Sequence, residues 1–285
     1  MTTSNSTPPR HFPNRDQLSV ITAVILLAYA LSRFVQLPTR QVEIEFIGIV
    51  FRFLVSGQVV MLALVALLIA TGADALMRNH PAAPQRSPMG PLRLVIHWVL
   101  PGTTALGLGV LLNSPQIANL WWLGLVLSAL ILLAVLIAEY VAIDRRDAAY
   151  GVALLGLSAL TYLIALVLFG WMKFSGARAS LLAGSTAVIA MLLSLRLLNL
   201  RASASPRMLA NSAMVGLVVG QMMWAINYWP VSPVGAGLIL LVVFYTTHGL
   251  AQQNVTLGPN RRVTLEYLGI GAVGLVLAAS YAIWG

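Results

Sequence analysis

The stretch that decides the fold runs from Leu120 to Ile143, LWWLGLVLSALILLAVLIAEYVAI, 24 residues in which Glu139 is the single charged side chain. A bilayer hydrocarbon core about 30 Å thick needs about 20 consecutive apolar residues to be crossed as a helix. The run is too long and too continuous for a strand of a membrane barrel, which alternates over about ten residues. It therefore predicts a transmembrane helix, and the rest of the chain repeats the pattern. Of 285 residues 59% are hydrophobic and 9% charged, against roughly 25% charged in water-soluble chains. A soluble globule is excluded. Apolar runs of membrane length occur at Gln17–Val35, Phe46–Ala70, Val95–Leu112, Leu120–Ile143, Ala148–Trp171, Ala179–Leu197, Met208–Tyr228, Val234–Leu250 and Val263–Trp284. The expected fold class is all-α, a polytopic bundle of about nine transmembrane helices. The eighth run is the weakest: it holds 17 residues, contains Gly235 and Gly237, and reads equally as a re-entrant or tilted segment.

The expected domain organisation is a disordered cytoplasmic tail over residues 1–16 and a single membrane domain over 17–285, because the connections are too short for a soluble domain. The tail, TSNSTPPRHFPNRD, has no apolar core and no small-residue cleavage site and does not read as a signal peptide. With no cysteine there is no disulfide framework and no thiolate metal site or nucleophile.

Orientation follows from basic residues on alternate connections. The tail and the even-numbered loops carry Arg10, Arg15, Arg78, Arg86, Arg93, Arg145, Arg146, Arg196, Arg201, Arg207, Arg261 and Arg262, twelve of the 17 Lys and Arg. The other side carries Arg33, Arg40, Lys173 and Arg178, with Arg52 inside the second run. Twelve against four places the N-terminus in the cytoplasm and the C-terminus outside. The formal charge of +9 is then a topology signal facing anionic lipid, and nucleic acid is not an expected partner. Trp121, Trp122 and Trp229 fall on the outer side, where an aromatic belt forms.

Ionisable and amide groups inside spans are costly enough to be functional candidates. Arg52 lies about a turn and a half into the second run; as a structural residue it snorkels outward to Glu43 or Glu45, and as a functional one it meets an anion or headgroup together with Arg33 and Arg40. Glu139 has Val135 and Ile143 four residues to either side, so a partner must come from another helix, and His248, His97, Arg93 and Arg196 approach the same leaflet. A carboxylate and a histidine at one depth serve either an interhelical salt bridge or a proton-coupled site. In the seventh run Gly216 and Gly220 form a G-x-x-x-G pair suited to helix packing, with Asn227 near that face and Gln221, Trp224 and Tyr228 on an adjacent stripe. Gln221 is expected to turn inward to find a hydrogen bond, as interhelical glue or as the lining of a solute path.

Metal-ligand, nucleotide-loop and protease motifs are missing: no H-E-x-x-H, no paired aspartates, no histidine cluster, no Walker A loop. No cofactor or metal is expected. Asn254-Val255-Thr256 fits a glycosylation sequon but faces the cytoplasm in this topology.

The segments HWVLPG, LGLGVLLN, NLWWLGLVLSALILLAVLIAEYVAID, AINYWP, LLVVFYTTHGLAQQ and RRVTLEYLG resemble an uncharacterised family of multi-spanning bacterial membrane proteins, over spans three to nine. The resemblance implies a multi-pass protein of a bacterial inner membrane and assigns no residue a role. The expected function is transporter-like, handling a lipid or small solute in the bilayer without a cofactor. The alternative is a structural or accessory subunit that meets itself or a membrane partner protein through its Gly-rich faces; a cofactor-free membrane enzyme comes third, with no catalytic residues assigned.

Overall fold

The computed structural model describes residues 13, 15–35, 38–46, 49–81, 92–202, 205–256, 258 and 260–284. Most of the 1–16 tail and of the long Pro-rich loop after the second run lies outside them. Among the described residues there are nine α-helices: α1 Arg15–Phe34, α2 Gly57–Arg78, α3 Leu92–Leu112, α4 Trp121–Val141, α5 Tyr150–Phe174, α6 Ala179–Arg201, α7 Pro206–Asn227, α8 Pro233–Thr256 and α9 Arg261–Trp284. All but α3 are long and apolar enough to cross a membrane; in α3 the apolar stretch is the shorter Ile96–Leu112. The fold is the expected helical transmembrane bundle, with one addition.

That addition corrects the second run. Helix α2 begins at Gly57 rather than Phe46, and the residues before it form an antiparallel hairpin, β1 Arg40–Phe46 paired with β2 Ile49–Val55. The cause is visible in the sequence: RQVEIEF alternates polar and apolar residues at the strand period, and IVFRFLV is rich in β-branched and aromatic residues. In the ladder Val42, Ile44 and Phe46 pair with Phe53, Phe51 and Ile49, and Glu43 pairs with Arg52. Ser56 then starts α2 as its N-cap, its hydroxyl accepting from the Val59 N–H at 3.3 Å.

The eighth run is also corrected. Helix α8 is 24 residues, about 36 Å at 1.5 Å per residue, a full crossing length. Its polar second half stays helical because the hydroxyls of Thr246 and Thr247 bond back to the carbonyls of Val242 and Val243 at 2.8 and 2.7 Å.

The helices group into two compact units. One comprises 1–83 and 101–150, the other 84–100 and 151–285, so the chain passes from one unit to the other at Pro101 within α3. The first unit is cored by Tyr29, Ile69, Ala73, Leu108, Leu132 and Leu136. The Tyr29 hydroxyl is buried there, and it donates to the Ala105 carbonyl at 2.8 Å.

In the second unit α6 and α7 approach until backbones nearly touch: a Cβ on Gly220 would stand 2.7 Å from the Ala187 Cβ and 2.8 Å from the Ala183 carbonyl oxygen. A Cβ on Gly237 of α8 would stand 3.1 Å from the Leu166 carbonyl oxygen and 3.2 Å from the Gly170 nitrogen of α5. Between membrane helices no hydrophobic effect drives association, so small residues that permit this approach are how dispersion contacts accumulate. The turn joining α5 to α6 needs Gly176 at φ +61°. Pro230 ends α7, and Pro233 begins α8 at a position where a missing N–H is harmless.

Candidate functional site

Two buried polar side chains of the second unit meet where α6 and α8 face each other. His248 of α8 is 2% exposed and Ser194 of α6 is completely buried. The Ser194 Oγ and the His248 Nδ1 are 3.0 Å apart, a hydrogen bond whose direction depends on the ring tautomer. Rings close around the pair: Phe244, one turn earlier on α8, stacks on the imidazole with centroids 5.9 Å apart, and Tyr162 of α5 meets it edge-on at 6.5 Å. Tyr245 extends this aromatic patch to Tyr267 of α9. Gly249 allows it, since a Cβ there would collide with the Tyr267 ring. The imidazole is held by the Ser194 hydroxyl and by the side chain of Gln252 one turn later on α8, with the charge of Arg201 of α6 acting on it, inside an otherwise aromatic surround.

Arg196, two residues from Ser194 on α6, is 1% exposed, the largest fully buried side chain among the described residues. It is a helix-interior residue and not part of the inner connection, which corrects its place in the basic count. Leu193, Leu197 and Leu200 bury with it at helical spacing, and it is engaged by other groups. Glu139 is completely buried on α4, in the first unit, and is likewise not without a partner.

The remaining candidates separate. Arg52 sits in β2, outside any helix, with Glu43 directly across the ladder. Gly216 and Gly220 are buried against Ala183, Ala187 and Met191 of α6. Gln221 is exposed, contrary to the expectation that it turns inward. The reason is angular: at about 100° per residue it cannot share the face of Gly216 and Gly220, and the close glycine contact claims the inward direction. Trp224 and Tyr228 are exposed with it. Asn227 is half-buried, and its contribution is a backbone carbonyl.

That carbonyl belongs to an arrangement not anticipated from the sequence. The Lys173 ammonium, at the end of α5, donates to the carbonyls of Ile226, Asn227 and Trp229 at 3.0, 3.3 and 3.1 Å. The Ile226 and Trp229 carbonyls also accept from the Trp229 and Val231 N–H groups, so the ammonium reinforces the turn that ends α7, where a cation opposes the negative end of the helix dipole. Asp74 was missed as well: it is buried on α2 and bonds Arg78 one turn later at 2.7 Å. Its signal was an acidic residue four positions before a basic one, at the inner end of a run. Ser194 had no sequence signal, since a serine in a membrane helix usually bonds its own backbone.

Among the described residues no group of three or more His, Cys, Asp or Glu converges to hold a metal ion. An open recess between α1 and α2, lined by Val20, Ile21, Val24, Leu68 and Gly72, is almost wholly apolar.

Long apolar helices with buried polar groups joined across them define a multi-pass membrane protein. Within that class, the family described as "Protein of unknown function (DUF5656)" matches residues 37–281, and the chain belongs to it. No curated protein and no solved structure matches the chain.

Proposed function

We propose that this is a bacterial inner-membrane protein, transporter-like, that moves or handles a small solute or lipid without a cofactor, its N-terminus in the cytoplasm and its C-terminus outside. The observation that carries the reading is His248, buried within a full-length span and hydrogen-bonded to Ser194 of the neighbouring helix. Ionisable groups are kept inside membrane helices at a cost of a few kcal/mol, which selection tolerates chiefly where they work. Burial holds the His248 imidazole neutral, so a helix movement that wets it or changes its partner is what would couple to proton uptake. Arg196 and Glu139 add a buried cation and a buried carboxylate to the same class of groups. The apolar recess between α1 and α2 has the lining an acyl chain would fill, which supports the lipid version.

The test is reconstitution of the full chain into liposomes with a trapped pH-sensitive dye and an imposed pH gradient. Protein-dependent acidification is expected, abolished in His248→Gln and reduced in Ser194→Ala, with both variants eluting as the folded protein. Flux equal to wild type in His248→Gln, or no flux from folded wild-type protein, overturns the proposal. A structural or accessory subunit is the second reading, favoured by the close small-residue packing of α6 on α7. It expects Glu139→Gln to lower folded yield and to leave no flux defect to measure.

A further inference from the structure

His248 does not stand midway along its helix. It lies eight residues from the end of α8 at Thr256 and fifteen from the start at Pro233, about 12 Å and about 22 Å of helix. The two directions also differ in substance. Toward Pro233, the outer end in the proposed orientation, one turn brings Phe244 on α8 and Ala190 on α6, and the next brings Leu240, all completely buried. Phe169 of α5, also completely buried, meets the Phe244 ring edge-on at 6.0 Å. Beyond them Gly237 closes on the backbone of α5 too tightly for water to pass between. Toward Thr256 the side chains are polar and progressively wetter. Gln252, one turn on, is half-buried and holds the imidazole. Arg201, at the end of α6, is exposed and lies seven residues from Ser194, which at about 100° per residue returns it to the same face. Helical side chains tilt toward the N-terminus of their own helix, so its guanidinium leans back from the inner end toward the pair, and its charge acts on both His248 and Tyr162. No Asp or Glu occurs anywhere in α5 to α8 to offset it.

We infer that in this conformation His248 communicates with the Thr256 end of α8 alone, by way of Gln252 and Arg201, and that Phe244 and Phe169 close it to the opposite side. A proton moves through hydrocarbon only along groups that donate and accept hydrogen bonds. The Gln252 amide does both, whereas the two phenyl rings do neither. Arg201 at the mouth draws anions and repels cations, which sets the sign of the charge that approaches the site. This deepens the proton-handling reading of His248 and rests on it for its purpose, but water access to the site is measurable without any flux.

The chain has no cysteine, so a single introduced thiol is the one that reacts. Thiosulfonates attack it as the thiolate, which forms where water reaches. The full chain is assayed in right-side-out and inside-out vesicles, with Asn254→Cys, exposed near the end of α8, marking the side. A membrane-impermeant sulfonatoethyl thiosulfonate is expected to modify His248→Cys and Gln252→Cys from the side that modifies Asn254→Cys and not from the other. Leu240→Cys, beyond the rings, is expected to stay unmodified from both. Gln252→Cys is expected to react about tenfold faster with this anionic reagent than with its trimethylammonium counterpart, a preference that Arg201→Gln removes. Gln252→Cys and Leu240→Cys leave the bond between Ser194 and His248 in place, so they decide the matter even where His248→Cys does not fold. Modification of His248→Cys or Leu240→Cys from the opposite side overturns the inference. So does folded His248→Cys or Gln252→Cys that stays unmodified from the Asn254 side, or equal rates for the two reagents. The expected labelling in a protein that carries no proton flux would remove the transport reading and leave the one-sided access standing.

Discussion

Gly220 and Leu217 lie three residues apart on α7 and face opposite surroundings, which makes them a matched pair for testing the packing. Gly220 is pressed against the backbone of α6, and Leu217 is exposed. Gly220→Leu is expected to destabilise the fold by at least about 1–3 kcal/mol through overpacking, while Leu217→Ala changes thermal stability in detergent little. The reverse order would remove the close approach as the basis of the α6–α7 pairing. At the same scale, Ser194→Ala removes one of the hydrogen bonds that hold His248 and is expected to lower stability by about 1 kcal/mol, with Ser194→Thr restoring it. Equal melting temperatures for the three proteins would show that bond to be idle. The glycine pair was legible in the sequence because its meaning depends only on spacing along one helix. The serine was not, because its meaning depends on which residue another helix places opposite it.

Lys173 shows how one side chain can finish another element. Pro230 prevents α7 from continuing, and three carbonyls at its end converge on a single ammonium. Lys173→Met is expected to cost about 2 kcal/mol, in the range for hydrogen bonds to a charged group, and to speed proteolysis in the 228–232 turn. Lys173→Met with unchanged cleavage and melting would show the cap to be ornamental. Elements were misjudged where hydropathy alone set their limits. The hairpin over 40–55 is apolar on average, but the alternation in RQVEIEF marks a strand; α8 loses hydropathy after Tyr245, yet its threonines bond their own backbone and its histidine bonds Ser194. A window average sees neither periodicity nor the satisfaction of polar groups.

Across the molecule, moving Arg196 into a helix and Arg52 into the outer hairpin leaves eleven basic residues on the tail and even-numbered connections against five on the odd side. The asymmetry keeps its sign, so reporter fusions after Asn254 are expected to read cytoplasmic and fusions after Gly285 external. The two ends of the protein reporting one compartment would mean an even number of crossings. In that event α3 is the helix that fails to cross, since its apolar stretch is shorter than the others and Pro101 interrupts its hydrogen bonding.

By itself the sequence determined that the chain lives in a membrane as a set of helices, because lipid obliges each crossing segment to be apolar and to pair its backbone internally, and both demands are met residue by residue along the chain. It also marked the glycine face of α7 and the buried acid Glu139. Only the tertiary structure decided that His248 meets Ser194, that Lys173 closes α7, that Arg196 is interior, and that Gln221 faces out. Those outcomes depend on how helices are rotated about their axes. Rotation is set by close contacts such as Gly220 against Ala183 and Ala187, which hydropathy does not encode because apolar side chains serve lipid and neighbouring helices alike.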